Sequence, residues 1–417
     1  MNSLVIDQVE KTWISLPLKT RHKRHLTREY HDWTVFEIIR LRTNSELVGY
    51  GETMIYYTWG HVPEEQIERV IGRSPFEFLW DDDLGAGLQM AIYDLAGKAL
   101  GLPAYHLIGQ KRRDWCPISW WSIDMSTQDW CDEVQEALDL GYVSAKLKAR
   151  PWRDLAVQME ILAEVVPSGF HFDVDFNGLL HDVGTAVPYL LKLERNPAMA
   201  IFETPIPHED VEGYKILRGK VHLPVAMHYS IPPVQTVIRE ELCDGFIVNR
   251  GVAINRQWAN VAAEMHKPFW LQMVGTGLMT AFMLHLGATL AQAVWPAITC
   301  HEIYAEDLLE ERLEVRDGFI RVPEGPGLGV EVNEEVIARY EVEEGYVPPP
   351  PRNLYRVVWP TGASVVYPVG LAGVFEDFAA GNQPLFHPGV RLEIVPDDGS
   401  PEWEELHQRA LQAPVRE

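Results

Sequence analysis

Between Ser144 and Ser230 the chain reads Ser144-Ala-Lys146-Leu-Lys148, then His171-Phe-Asp173-Val-Asp175-Phe-Asn177, then Ala200-Ile-Phe202-Glu203-Thr-Pro205, and finally Pro224-Val-Ala-Met-His228-Tyr229-Ser230. Each is a short apolar run that closes on polar residues, and about one βα unit separates it from the next. Lys146 and Lys148 are two apart, so on a strand both side chains leave the same face. Asp175 and Glu203 follow on the next two strands and form two thirds of a carboxylate cage for a cation. The fourth run sits where a third acid is expected and ends instead in His228 and Tyr229.

Outward from this stretch the same alternation continues. Strands are expected at Pro117–Trp120, Ser144–Lys148, His171–Asp175, Ala200–Glu203, Val225–His228, Phe246–Asn249 and Phe269–Gln272, with an eighth near Trp295–Thr299. Helices are expected to begin near Gln128, Asp154, Val183, Glu209, Pro233, Asn255 and Gly277. Strands that alternate with helices in this number predict an α/β fold of (β/α)7β type, a TIM barrel, more than an open doubly wound sheet. No GxGxxG or Walker loop stands at a strand–helix junction. Met279, Phe282 and Met283 on the last of these helices are core residues.

Before the barrel, Val5–Glu10, Trp33–Arg42 and Val48–Thr53 alternate as strands and predict an antiparallel meander. Leu84, Leu88, Ala91, Leu95 and Ala99 then recur at helical spacing and stop at Gly101-Leu-Pro103. The organisation expected is an N-terminal α+β unit over 1–115, a barrel over 116–320, a return to the first unit over 321–351, and a C-terminal extension over 352–417. The prolines 348–351 punctuate the join.

Bulk properties narrow the function. The 417 residues carry 36 Lys plus Arg against 60 Asp plus Glu, a net charge of -24, which excludes nucleic acid and anionic membrane as partners. The four cysteines, 116, 131, 243 and 300, are widely spaced and read as reduced thiols, which together with the absence of a signal peptide predicts a cytoplasmic location. No apolar run approaches the roughly 20 residues of a membrane span.

In a barrel of this kind the chemistry lies at the C-terminal strand ends. There the chain places Trp121, Lys146, Lys148, Asp175, Asn177, Glu203, His228, Tyr229, Asn249, Arg250, Gln272, His301 and Glu302. Acids from adjacent strands beside an amide suit a hard cation such as Mg²⁺, which stabilises the enolate formed when a proton is removed beside a carboxylate. A lysine crowded by a second lysine and a metal has a lowered pKa and serves as the base, the task expected of Lys148 beside Lys146. A neutral His228 would suit Mn²⁺ or Zn²⁺.

The chain resembles the enolase superfamily, in the branch of mandelate racemase and the muconate lactonizing enzymes. The match runs over roughly residues 3 to 345. It includes Gly49-Tyr-Gly-Glu52-Thr, Gln89-Met-Ala-Ile-Tyr-Asp-Leu-Ala-Gly-Lys98-Ala-Leu-Gly-Leu-Pro103, the lysine and acid runs quoted above, and Pro323-Glu-Gly-Pro-Gly-Leu-Gly-Val330. The resemblance implies an α+β capping domain built from both chain ends, whose loops close over the barrel mouth and read the substrate. It also implies a small carboxylate substrate, a divalent metal on Asp175 and Glu203, Lys148 as base, Glu302 supporting the substrate carboxylate, and a homo-oligomer. Trp121, Tyr56, Tyr57 and Trp59 fall where the substrate-facing loops lie. The basic run Arg21-His22-Lys23-Arg24-His25, in the first capping loop, is a candidate clamp for a carboxylate.

Three departures bear on activity. The third acidic ligand is missing at 228–229. The Asp–His pair of the mandelate racemase group is replaced by Asn249 and Gln272. The sixth-strand lysine of the muconate lactonizing group is absent from Asn249-Arg250. The reading that follows is an acid-sugar dehydratase in which Lys148 abstracts the α-proton with Glu302 and His301 assisting. The alternatives are a racemase or epimerase, or a catalytically silent relative that binds a carboxylate and holds no metal.

Overall fold

The computed structural model describes residues 4–417 except 58, 59, 369 and 371, so Trp59 lies outside the described residues. The chain opens with β1 (Ile6–Ser15), α1 (Thr20–Tyr30), β2 (Val35–Thr43) and β3 (Val48–Met54). The three strands form the expected antiparallel meander, with Ile14 opposite Phe36 and Ile38 opposite Glu52. The stretch 20–30 is a helix, not the loop expected of it. Its buried stripe is His22, His25, Leu26 and Arg28, so the helical period is carried by polar residues that hydrophobic patterning does not register.

Helices α2 (Glu64–Val70), α3 (Ala86–Leu100) and α4 (Tyr105–Ile108) follow. α3 ends at Gly101 in the left-handed conformation, φ 67°, at the predicted stop. It lies so close on β3 that a Cβ on Gly51 would stand 1.9 Å from the Gly87 carbonyl oxygen.

The barrel begins with β4 (Trp115–Pro117) and β5 (Trp120–Ser122). It continues through α5 (Thr127–Asp139), β6 (Ser144–Lys148), α6 (Leu155–Val165), β7 (His171–Asp175), α7 (Val183–Leu193), β8 (Met199–Glu203) and α8 (Val211–Arg218). Then come β9 (Val225–His228), α9 (Val234–Arg239), β10 (Gly245–Val248), α10 (Val252–Glu264), β11 (Phe269–Leu271) and α11 (Gly277–Thr289). Seven strands, β5 to β11, pair in parallel and in sequence order. Asp154, Asp182 and Asp210 cap α6, α7 and α8 through their side chains, which fixes where each strand-end loop stops.

Two expectations at the ends of this series are corrected. The run 117–120 is divided: β4 leaves the barrel to pair antiparallel with β13 (Phe319–Arg321), itself paired with β12 (Val315–Arg316). The eighth strand is not continuous, because Pro296 interrupts its ladder. Residues 297 and 298 still bridge in parallel to Ile118 and Gln272, and so join both edges of the seven-stranded sheet. The helix expected near Asn255 starts three residues earlier, where Asp82 of the first unit accepts from the Ala253 and Ile254 amides.

After α12 (Glu334–Arg339), β14 (Glu341–Val342) returns to the first sheet, opposite Trp13 and Ile14 of β1. The fold is a TIM-like (β/α) barrel with an α+β capping unit to which both flanks contribute. The last elements are β15 (Asn353–Val358), β16 (Ser364–Tyr367), α13 (Ala372–Ala379), β17 (Arg391–Pro396), α14 (Pro401–Gln412) and β18 (Val415–Arg416). Their strands form a separate antiparallel sheet. This extension packs on the barrel. Trp152, from the loop after β6, is buried among Tyr355, Val357, Tyr367 and Phe378, and Phe386 meets Phe176 and Tyr189. Among the described residues no helix is long and apolar enough to cross a membrane.

Candidate active site

Parallel register brings the charged strand ends together. Lys148 stands opposite Asp175, and Asp175 opposite Glu203, on β6, β7 and β8. The Lys148 ammonium donates to Asp175 Oδ2 at 2.6 Å and to Asn177 Oδ1 at 3.1 Å. Lys146, 1% exposed, pairs with Glu203, lies 3.5 Å from Asp175 Oδ2, and donates to Gln272 Oε1 at 2.7 Å. Its ammonium also sits over the Trp270 ring. Gln272 in turn donates through Nε2 to the Tyr57 hydroxyl, so the capping unit reaches the barrel through this amide. His228 Nε2 lies 3.4 Å from Glu203 Oε1.

Electrostatics fixes the ionic state of the cluster. Burial opposes charge on Lys146, but Glu203 and Asp175 outweigh it and raise its pKa above the ordinary lysine value. Burial likewise opposes charge on Asp175, and Lys148 and Lys146 hold its carboxyl well below the usual range. The ammonium that was expected to crowd Lys148 is therefore committed to Glu203. One layer deeper, Asp173 is pushed up to about 7 by burial, against the pull of Lys146. Its Oδ1 has no hydrogen-bond partner among the described residues.

These residues do not fit the Mg²⁺ expected of them. An ammonium already lies between the two carboxylates, and the third position is an imidazole, a poor ligand for a hard cation. Among the described residues no group of three His, Cys, Asp or Glu side chains is placed to hold a metal ion.

The remaining candidates have other partners. Glu302 Oε1 accepts from the Trp121 amide at 2.5 Å, and burial pushes its carboxyl up to about 7. His301 bonds Thr299 Oγ1 at 2.8 Å, and burial with Arg312 and Lys19 lowers its ring to about 3. Trp121 is buried against Trp33. Tyr229 stacks on Trp258 at 4.4 Å, because one residue after inward-facing His228 the chain points to the helix layer. Arg250 lies over the Trp258 ring, 5.5 Å from its centroid, and donates to Asn249 Oδ1. Tyr56 donates to the Tyr346 carbonyl.

Arg24 and its neighbours form no clamp at the mouth. Arg24 and His25 pair with Asp129, and Arg21 and His22 with Glu133. The acidic face of α5 has taken the basic run.

Sequence reasoning missed Arg150 and Glu29. Arg150 donates to Asn177 Oδ1 at 3.1 Å and to Glu29 Oε1 at 2.7 Å. Its position two residues beyond Lys148 was the available signal; Glu29, inside the basic helix, gave none. Both line a cavity of about 640 Å³ with Tyr30, His31, Asn177 and Phe375. Asn177 links that cavity to Lys148.

Comparison with known proteins agrees with this fold. The family model described as enolase C-terminal domain-like matches residues 129–336. The chain is 27% identical over 276 residues to N-succinylamino acid racemase of Thermus thermophilus, covering 63% of this chain and 72% of the relative. It is 21% identical over 386 residues to a D-galactonate dehydratase family member of Pseudarthrobacter chlorophenolicus, covering 75% and 93%. It is 23% identical over 384 residues to muconate cycloisomerase 1 of Rhodococcus opacus, covering 81% and 98%. Its fold superposes on muconate lactonizing enzyme from Pseudomonas fluorescens with a TM-score of 0.68 at 22% identity, covering 82% of this chain and 100% of that one. Matches over the barrel and the cap together place the chain in one family: it belongs to the enolase superfamily.

Proposed function

We propose that this chain is an acid-sugar dehydratase that removes the α-proton of a small hydroxy-carboxylate with Lys148. The carrying observation is the setting of Lys148. It is the less buried of the two lysines, held by Asp175 and by Asn177, which itself lines a cavity large enough for a sugar acid. Lys148, paired as an ammonium with Asp175 at rest, first yields a proton to solvent. As the amine it then takes the α-proton, and the electron pair of the C–H bond passes into the carboxylate as an enediolate. The resulting Lys148 ammonium returns that proton to the β-hydroxyl. The enediolate collapses, the C–O bond breaks and water leaves on the same face, so one proton carrier suffices. Dehydratases among the relatives support this reading.

Racemisation needs a second proton carrier on the opposite face. There Asn249 is held by Arg250, and Gln272 lies between Lys146 and Tyr57. Incubation with a library of aldonic and aldaric acids, followed by carbonyl trapping, should yield a 2-keto-3-deoxy acid from at least one member. A folded wild-type protein that yields none from any member contradicts the dehydratase reading. The acidic net charge and the unpaired thiols support a cytoplasmic protein, and superfamily precedent supports a homo-oligomer.

A further inference from the structure

The cluster at the ends of β6, β7 and β8 is electrically complete as it stands. Two ammoniums, Lys146 and Lys148, face two carboxylates, Asp175 and Glu203. The Lys146 ammonium donates to Gln272 Oε1 at 2.7 Å and is ion-paired with Glu203 and, at 3.5 Å, with Asp175 Oδ2. The Trp270 ring, 5.2 Å from the nitrogen, covers it. At the fourth strand end His228 adds an imidazole where an acid would add charge. A divalent cation placed here would leave two uncompensated positive charges in a site whose carboxylates are about 1% exposed, an arrangement that burial penalises heavily.

We propose that the Lys146 ammonium is the resident cation of this site and that the site binds no divalent metal. The loss of the third acid is then the decisive change: with two carboxylates left, the charge of a monovalent ammonium suffices and a divalent cation is no longer needed. In the reaction, the enediolate charge develops against Lys146. That consequence rests on the reading of Lys148 given above; the test below does not.

Full-length protein stripped with EDTA is titrated with Mn²⁺, followed by electron paramagnetic resonance of the free ion, and with Mg²⁺ by calorimetry. The expected result is no site tighter than ~1 mM for either ion. The Lys146→Met/His228→Asp double variant carries three carboxylates against one ammonium. It is expected to gain one Mn²⁺ equivalent at least ~10-fold tighter, because a dication now balances the charge. A sub-millimolar Mn²⁺ or Mg²⁺ site in the wild type, lost in Glu203→Gln, overturns the proposal. So does a double variant that is folded by circular dichroism and still binds nothing. The wild-type titration needs no variant and decides the matter if the double variant does not fold. Wild-type protein that binds no metal and dehydrates no acid would uphold this proposal and sink the dehydratase reading.

Discussion

Asp173 and Lys146 stand opposite each other on β7 and β6, both buried, and the barrel interior treats them differently. Lys146 finds two carboxylates and stays charged, whereas Asp173 finds one already committed lysine and rises from 3.8 to about 7. The consequence for stability has a definite sign. An acid whose folded pKa is raised holds its proton more tightly in the native state, so the fold loses stability as pH climbs from about 4 to about 7. Asp173→Asn should remove that dependence. Guanidinium titrations at pH 5 and pH 8 should show the variant gaining on the order of 3 kcal/mol over wild type at the higher pH. Equal wild-type and variant slopes would contradict the assignment. At this scale the sequence was half legible. Period-2 spacing identified the Lys146 and Lys148 ends and the βα interval those of Asp175 and Glu203, but which partner each side chain takes depends on how the elements pack, as Gln272 on Lys146 and Arg24 on Asp129 show.

Glu52, on β3, shows how the elements lock together. Its carboxylate accepts from the Thr276 amide at 2.6 Å, the Thr276 hydroxyl at 2.6 Å and the Met279 amide at 3.1 Å, at the start of α11. The capping sheet thus reinforces the N-terminus of a barrel helix whose own cap is Thr276. Glu52→Ala strips three buried donors of their acceptor and should cost about 2–4 kcal/mol in denaturant unfolding. A loss below about 0.5 kcal/mol would show that the contact adds little. Elements were most legible where an apolar run ends abruptly in charge: β6, β7 and β9 have the bounds their sequences predict. They were least legible where tertiary partners replace apolar patterning. Helix α1 buries histidine and arginine against the acids of α5, and Pro296 reduces the eighth strand to isolated bridges.

Over the whole molecule, three units converge on one mouth. The cap brings Glu29, Tyr30 and Tyr57, the barrel brings the lysines and acids, and the extension brings Phe375 against Arg150. The barrel and cap were legible because their motifs recur in fixed order. The placement of the extension was not, because its join to the barrel rests on a few scattered aromatic contacts, Trp152 in the loop after β6 and Phe386 against Phe176 and Tyr189, that follow no sequence period. The central claim is that this mouth removes an α-proton through Lys148. Its most direct measurement is deuterium incorporation at the α-carbon of hydroxy-carboxylates in D₂O, read by proton NMR for wild type and Lys148→Ala. The account predicts exchange by wild type and a loss of roughly 10²–10⁴-fold in a folded Lys148→Ala variant; exchange at an unchanged rate in that variant would contradict it.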